Sequence, residues 1–387
     1  MIPYGRQDIR ETDIDAVLQV LRSDYLTQGP LLPEFELTVS QYCGVAHAVA
    51  VNSATSALHI ALMALGVGQG DSVWTSTNTF VASANAALYC GASVDFVDID
   101  PDTYNMSVRA LAQKLAAAEQ AGQLPKVVIP VHLTGQPCDM QGIKDLSKRF
   151  GFKIIEDASH AIGGKYQEAP IGNCAYSDIT VFSFHPVKIV TTAEGGMALT
   201  NNATYAEKMA QYRSHGVTRD PALMSGEPDG PWYYQQITLG YNYRMTELQA
   251  ALGISQMQRL DQYVARRHEI AMKYNRELRD LPLKLPTQSE YGYSAYHLYV
   301  VILDLKAIAP VSQLQVFEAL RDRGILVNLH YIPVHTQPYY QAMGFRWGDY
   351  PKAEAYYKSA ISIPLYPAMT EIEQTQVIQA MHEVLLK

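Results

Sequence analysis

Three short segments hold the residues best placed by type and spacing to do chemistry. The run Phe182-Ser183-Phe184-His185-Pro186-Val187-Lys188 leads to a lysine, with Thr191-Thr192-Ala193-Glu194-Gly195-Gly196 close behind it. Ile154-Ile155-Glu156-Asp157-Ala158-Ser159-His160-Ala161 is an apolar strand pattern that ends in acid, serine and imidazole. Asn52-Ser53-Ala54-Thr55-Ser56-Ala57-Leu58 follows another apolar run and opens a helical pattern. Each has an ordinary alternative: a lysine is usually a solvated surface group, an Asp after a strand a turn former, and a Ser or Thr before a helix an N-cap. Taken together they are the parts a pyridoxal phosphate site needs. A lysine forms the Schiff base, a carboxylate keeps the pyridine nitrogen protonated, and small residues at a helix N-terminus bind the phosphate. The run Gly66-Val67-Gly68-Gln69-Gly70 precedes a strand pattern instead of following one, so it reads as a turn and not as a dinucleotide fingerprint.

These segments need strands that end at a common edge. From residue 46 to about 200, short apolar runs alternate with helical stretches such as Ser56 to Leu65 and Ser107 to Ala118; the runs are residues 46–51, 72–76, 93–99, 127–133, 153–157, 178–184 and 196–200. Several are continuous in hydrophobicity, the mark of strands covered on both faces. The pattern predicts a doubly wound, mainly parallel α/β sheet, whose ligands bind at the strand ends. Ahead of it, Thr12 and Asp13 offer capping chemistry to a helix with Ile14, Val17, Leu18 and Leu21 on one apolar stripe. A Gly29-Pro30 turn then leads to a second helix.

Past Thr246 the pattern becomes strongly helical to about Leu281, with Arg266, Arg267, His268 and Glu269 expected on a solvated face. After a loop from Pro282 to Tyr293 come a strand at 298–303, a helix from Ser312 to Arg323, a strand at 325–331 and a last helix from Thr370. We therefore expect a large cofactor-binding domain over 1–245, including an N-terminal arm, and a connector with a smaller C-terminal α+β domain over 246–387.

Composition narrows the classes. The chain has 387 residues, 48% hydrophobic and 18% charged, which excludes a disordered chain. Thirty basic against 38 acidic residues leave a net charge of −8, the wrong sign for a protein that tracks phosphate backbones, so no nucleic acid partner is expected. No window approaches the ~18 consecutive apolar residues of a membrane span. Cys43, Cys90, Cys138 and Cys174 are too scattered for a CxxC pair or a disulfide framework. The expectation is a cytoplasmic protein with reduced thiols and no metal.

The segment 52–58, Thr79-Phe80-Val81-Ala82-Ser83-Ala84-Asn85, Phe96-Val97-Asp98-Ile99-Asp100, Glu156 to Ala161, Phe182 to Lys188, Glu194-Gly195-Gly196 and Gly240-Tyr241-Asn242-Tyr243-Arg244 resemble, in order and approximate spacing, the motifs of one family. It is the DegT/DnrJ/EryC/StrS group of nucleotide-sugar aminotransferases, fold-type I pyridoxal phosphate enzymes. Further likeness, in Ile2-Pro3-Tyr4-Gly5-Arg6-Gln7, Leu26-Thr27-Gln28-Gly29, Arg213-Ser214-His215-Gly216 and His330-Tyr331-Ile332-Pro333, is to the pseudaminic-acid branch. That branch aminates C4 of UDP-4-keto-6-deoxy-N-acetyl-β-L-altrosamine. Other branches act on bacillosamine-type or dTDP-linked 4-keto sugars. Sugar dehydratases of this fold replace the Schiff-base lysine with histidine, which Lys188 argues against. A non-catalytic binder that kept the pocket is the alternative from another class.

What the resemblance implies is specific. Lys188 forms the Schiff base and shuttles a proton, Asp157 pairs with the pyridine nitrogen, and Phe80 lies against the ring. Ala54, Thr55 and Ser183 contact the phosphate, and Asn242 reaches the phosphate of the partner subunit in a homodimer. His160 stands where many members have Gln and is expected to donate toward the cofactor's phenolic oxygen. Ala193 replaces the first Gly of a Gly-Glu-Gly-Gly motif, a change expected to be harmless because it needs only φ below zero. Tyr4, Gln28, His185, Arg244, His330 and Tyr331 are candidate contacts to the nucleotide sugar, with L-glutamate as the amino donor.

Overall fold

The computed structural model describes residues 1–386. Its centre is a seven-stranded sheet made of β1 (His47–Val51), β2 (Ser72–Ser76), β3 (Ser93–Val97), β4 (Val127–Ile129), β5 (Lys153–Asp157), β6 (Ile179–Ser183) and β7 (Gly196–Thr200). The spatial order is β1-β7-β6-β5-β4-β2-β3. Strands β2 to β6 pair in parallel, whereas β7 is antiparallel to both its neighbours, β1 and β6. All seven expected runs are strands of this one sheet.

Successive side chains of a strand point to opposite faces, and the cores follow that rule. Val181, Ala198, Val73 and Ile155 pack with the helices Ala54–Ala64, Ala82–Tyr89 and Ala203–Arg213. Their neighbours Phe182 and Met197 pack under the helices Leu31–Cys43 and Glu247–Met257. Trp74 and Ile154 pack under Val108–Ala121 and Met140–Phe150. Burial on both faces is why these strands read as continuous apolar runs.

A separate three-stranded antiparallel sheet holds Leu283–Lys284, Tyr299–Leu303 and Ala360–Ile363. Its core is completed by the helices Gln313–Asp322 and Glu371–Leu385 and the far end of Leu260–Glu277. The chain start joins this unit: Ile2–Pro3 pairs in parallel with Ile325–Leu326, and Ile2 lies in the same core. The helix Glu247–Met257 packs instead on Leu31–Cys43, where buried Glu247 accepts the Leu31 and Leu32 amides at 2.7 and 3.2 Å. That carboxylate caps the helix N-terminus from across the fold. Among the described residues no helix is long and apolar enough to cross a membrane.

Four expectations are corrected. The stripe on the helix Glu11–Leu21 does not face this chain's core: Ile14, Leu18 and Leu21 are 42, 38 and 55% exposed. The buried positions are Val20 and Asp13, and Asp13 accepts the Arg10 amide and is gripped by Arg259 Nη2 at 2.8 and 2.7 Å. Arg267 is not solvated. It is buried, donates to the carbonyls of Tyr296, His297 and Leu365, and is pulled down to about 9 by burial. The strand expected at 325–331 stops at Leu326, because beyond it only Asn328 finds a partner, a single bridge to Ser362.

The fourth concerns Ala193, whose φ is +66°, not negative. A Cβ in the left-handed region crowds the following carbonyl and costs roughly 1–2 kcal/mol, a strain that glycine avoids. Glycine's larger unfolded-state entropy offsets about 0.4–1 kcal/mol of this. Ala193→Gly should therefore stabilise the fold by up to about 1 kcal/mol, seen as a higher urea midpoint with an unchanged denaturant slope. A lower midpoint would mean that the methyl group packs usefully where it is.

Candidate active site

The strand ends of β1, β2, β5 and β6 and the start of β7 surround a cavity of about 580 Å³. At the end of β1 the backbone of Ser53 is extended and its hydroxyl accepts the Ser56 amide at 3.1 Å. The cap and the anion cradle foreseen for this segment coexist. Ser53 caps the third amide of the helix, the fourth (Ala57) bonds to the Ser53 carbonyl, and the first two, on Ala54 and Thr55, have no partner among the described residues. Both residues line the cavity. Two free amides at the positive end of a helix bind a phosphate well. Beside them a Cβ on Gly196 would overlap the backbone of Ser53 and Ala54, so only glycine lets β7 pass this close.

Asp157, the last residue of β5, is fixed by hydrogen bonds to both oxygens. Oδ2 accepts the Ser83 hydroxyl at 2.6 Å, while Oδ1 accepts the Ser159 amide at 3.2 Å and hydroxyl at 2.5 Å. Its neighbour Glu156 points to the opposite face and is taken up by Ser177, Thr180 and His132. Lys188 sits in the turn after β6, its amide bonded to the His185 carbonyl at 2.9 Å. Enclosure pushes the Lys188 ammonium down to about 8 against the opposing attraction of Asp157. A sizeable neutral fraction near neutrality is what a nucleophilic amine needs.

Opposite stands an imidazole and phenol wall. His160 Nδ1 accepts the Thr134 amide at 3.3 Å, which puts the proton on Nε2, 3.1 Å from Tyr331 Oη. Burial first, then the Lys188 charge and His330, hold His160 well below its ordinary value, so it is a neutral donor. His330 falls to about 3 for the same two leading reasons, burial and Lys188, and its Nδ1 lies 2.8 Å from Ser362 Oγ. Tyr4 packs on His330 with ring centroids 5.0 Å apart, and burial raises both Tyr4 and Tyr331, keeping the phenols protonated.

Of the residues singled out in the sequence, Lys188, Asp157, His160, Ala54, Thr55 and Ser183 meet in this cavity. Tyr4, Phe80, His185, His330 and Tyr331 also line it. Phe80 is 57% exposed, with its ring 6.0 Å from that of Tyr331. Gln28, Asn242 and Arg244 lie outside their own chain's cavity, with Gln28 and Asn242 exposed. Sequence reasoning passed over Ser83 and Ser159, which orient Asp157, and His297, a wall residue. Ser83 and Ser159 lie inside the quoted motifs and could have been found as polar neighbours of the acid. His297 precedes a strand in the other unit, with no local signal. Among the described residues no group of three or more His, Cys, Asp or Glu could hold a metal.

The residues fit pyridoxal phosphate on three independent counts: two unpaired amides beside a glycine-only approach, an anchored carboxylate, and an enclosed lysine. Comparison with known proteins agrees. Residues 7–382 match the model of the DegT/DnrJ/EryC1/StrS aminotransferase family. The chain is 39% identical to the spore coat polysaccharide biosynthesis protein SpsC of Bacillus subtilis, over 99% of this chain and 97% of that protein. Helicobacter pylori PseC, an aminotransferase involved in pseudaminic acid biosynthesis, superposes with a TM-score of 0.90 at 29% identity, covering 100% of this chain and 99% of that one. A putative sugar aminotransferase of Streptococcus pneumoniae, solved in its pyridoxamine phosphate form, gives 0.88 at 32% identity over 99% of each chain. The chain belongs to the DegT/DnrJ/EryC1/StrS family and is a fold-type I, pyridoxal phosphate-dependent aminotransferase.

Proposed function

We propose that this enzyme moves an amino group from L-glutamate to C4 of UDP-4-keto-6-deoxy-N-acetyl-β-L-altrosamine, the step that serves pseudaminic acid formation. The observation that carries the sugar is the likeness to H. pylori PseC along the whole chain. We read it as a cytoplasmic homodimer, in keeping with four free cysteines and with the exposed face of Ile14, Leu18 and Leu21. A different nucleotide-linked 4-keto sugar is the second reading, favoured by the higher identity to SpsC.

Pyridoxal phosphate, when bound, supplies the electron sink that lets a proton leave the donor's α-carbon. The amides of Ala54 and Thr55 and the Ser183 hydroxyl bind its phosphate. Asp157 holds the proton on the pyridine nitrogen, its carboxylate kept in place by three donors. Lys188, with its value near 8, takes and returns the migrating proton at Nζ. Tyr4, His330 and Tyr331 close the side on which the sugar enters and exclude water. Gln28, Asn242 and Arg244 act on the partner subunit's site, Asn242 at its phosphate.

Three outcomes follow. Asp157→Asn keeps much of the cofactor affinity, because the phosphate cradle is untouched, yet slows single-turnover reaction with glutamate by at least about 100-fold; a near wild-type rate would make Asp157 merely structural. Mixing Asn242→Ala with Lys188→Ala chains restores activity, since a heterodimer has one site with both lesions and one with neither; no recovery after verified exchange would place Asn242 outside the site. With glutamate in excess, kcat/KM for the β-L-altrosamine ketone should exceed that for its C5 epimer by about 100-fold, the scale on which a small misplacement of reacting atoms acts. Equal values, or preference for the epimer, would select the second reading and leave the aminotransferase chemistry standing.

A further inference from the structure

His297 has no part in the chemistry above, yet its ring forms part of the cavity wall and is only 4% exposed. Its centroid lies 4.4 Å from that of His160. One residue ties the two segments together: the Thr134 amide bonds to His160 Nδ1, and the Thr134 carbonyl accepts the Leu298 amide, next to His297, at 3.2 Å. From behind, Arg267 holds the His297 carbonyl at 3.2 Å. His297 Nδ1 is buried without any partner. An unpaired buried N–H is rarer and costlier than an unpaired acceptor, so the proton belongs on Nε2, the nitrogen left for the cavity. His160 Nε2 already has Tyr331 Oη beside it, which makes the His297 donor the one without a protein acceptor.

We propose that His297 donates a hydrogen bond from Nε2 to the phenolic oxygen of pyridoxal phosphate, supplying that anionic oxygen with an imidazole donor whose proton no protein acceptor takes up. The charged and titratable groups that face His297 are Lys188, His160, Arg267 and His330, and with burial they all keep it neutral. A neutral donor can stabilise an anionic oxygen without surrendering its proton. The consequence falls on the proton shared between Lys188 Nζ and the phenolic oxygen. Donors stabilise the bare oxygen left once that proton has gone, so they lower the pH at which it leaves. The inference rests on the cofactor reading and not on the choice of sugar.

The test is a spectrophotometric pH titration of the visible band of holoenzyme, without substrate, after borohydride reduction of a separate sample has shown pyridoxyl label on Lys188. His297→Leu should raise the midpoint by about one to two pH units, the weight of one hydrogen bond to a charged group. His297→Gln, which keeps an N–H donor, should stay within about half a unit of wild type. If His297→Leu does not fold, His297→Phe, which fills the space without donating, is titrated in its place with the same expectation. An unchanged midpoint in the apolar variant overturns the proposal, as does an equal rise in the Gln variant, which would reduce His297 to packing. Absence of label and visible band in the wild type would instead overturn the cofactor reading itself, and this inference with it.

Discussion

The site depends on one backbone contact, the passage of Gly196 against Ser53 and Ala54 with no room for a side chain between them. Strand β7 enters the sheet between β1 and β6 and runs against both. Its first residues therefore lie at the same edge as the last residues of its neighbours. That places the helix N-terminus following β1 and the lysine turn following β6 on either side of Glu194-Gly195-Gly196. A side chain at 196 would force β7 away from the cradle and pull apart the groups that bind phosphate and amine.

Charge is distributed sparingly inside this enclosure. Burying an ionised group is costly unless it is paired and hydrogen-bonded. Asp157 meets the condition with three donors, and Lys188 meets it in part by losing its proton more readily than an exposed lysine. The histidines His160, His297 and His330 stay neutral beside that lysine. The wall they form thus offers N–H groups without adding positive charge. Where a partner fixes the tautomer, as the Thr134 amide does for His160, the donor direction is set before any ligand arrives.

The same economy governs the surface. The helix Glu11–Leu21 turns an acid inward to Arg259 beside buried Val20 and leaves Ile14, Leu18 and Leu21 outward, a departure from the usual amphipathic helix. An outward apolar stripe suits burial by a second chain. Asn242 and Arg244 lie on a segment tied to the cradle through the bond from the Asn52 amide to the Tyr243 carbonyl at 2.8 Å.

The sheet is legible in the sequence, because continuous apolar runs separated by helical stretches permit few other folds, and so is the meeting of Lys188, Asp157 and the 52–58 turn in one cavity, because each lies at or just past the end of its own strand. The sequence was misleading where local pattern and tertiary demand diverge. Ala193 accepts a left-handed φ because the strand β7 that follows must start beside the cradle. Arg267 looks solvated among charged neighbours, yet three carbonyls from remote segments draw it inside. Only the tertiary structure could show that His297, 109 positions beyond Lys188, faces the same cavity, or that Ser83 holds Asp157 across 74 residues. Sequence periodicity records which face of an element is buried. Which distant side chains share a cavity depends on how the elements pack, and that is fixed only when the whole chain has folded.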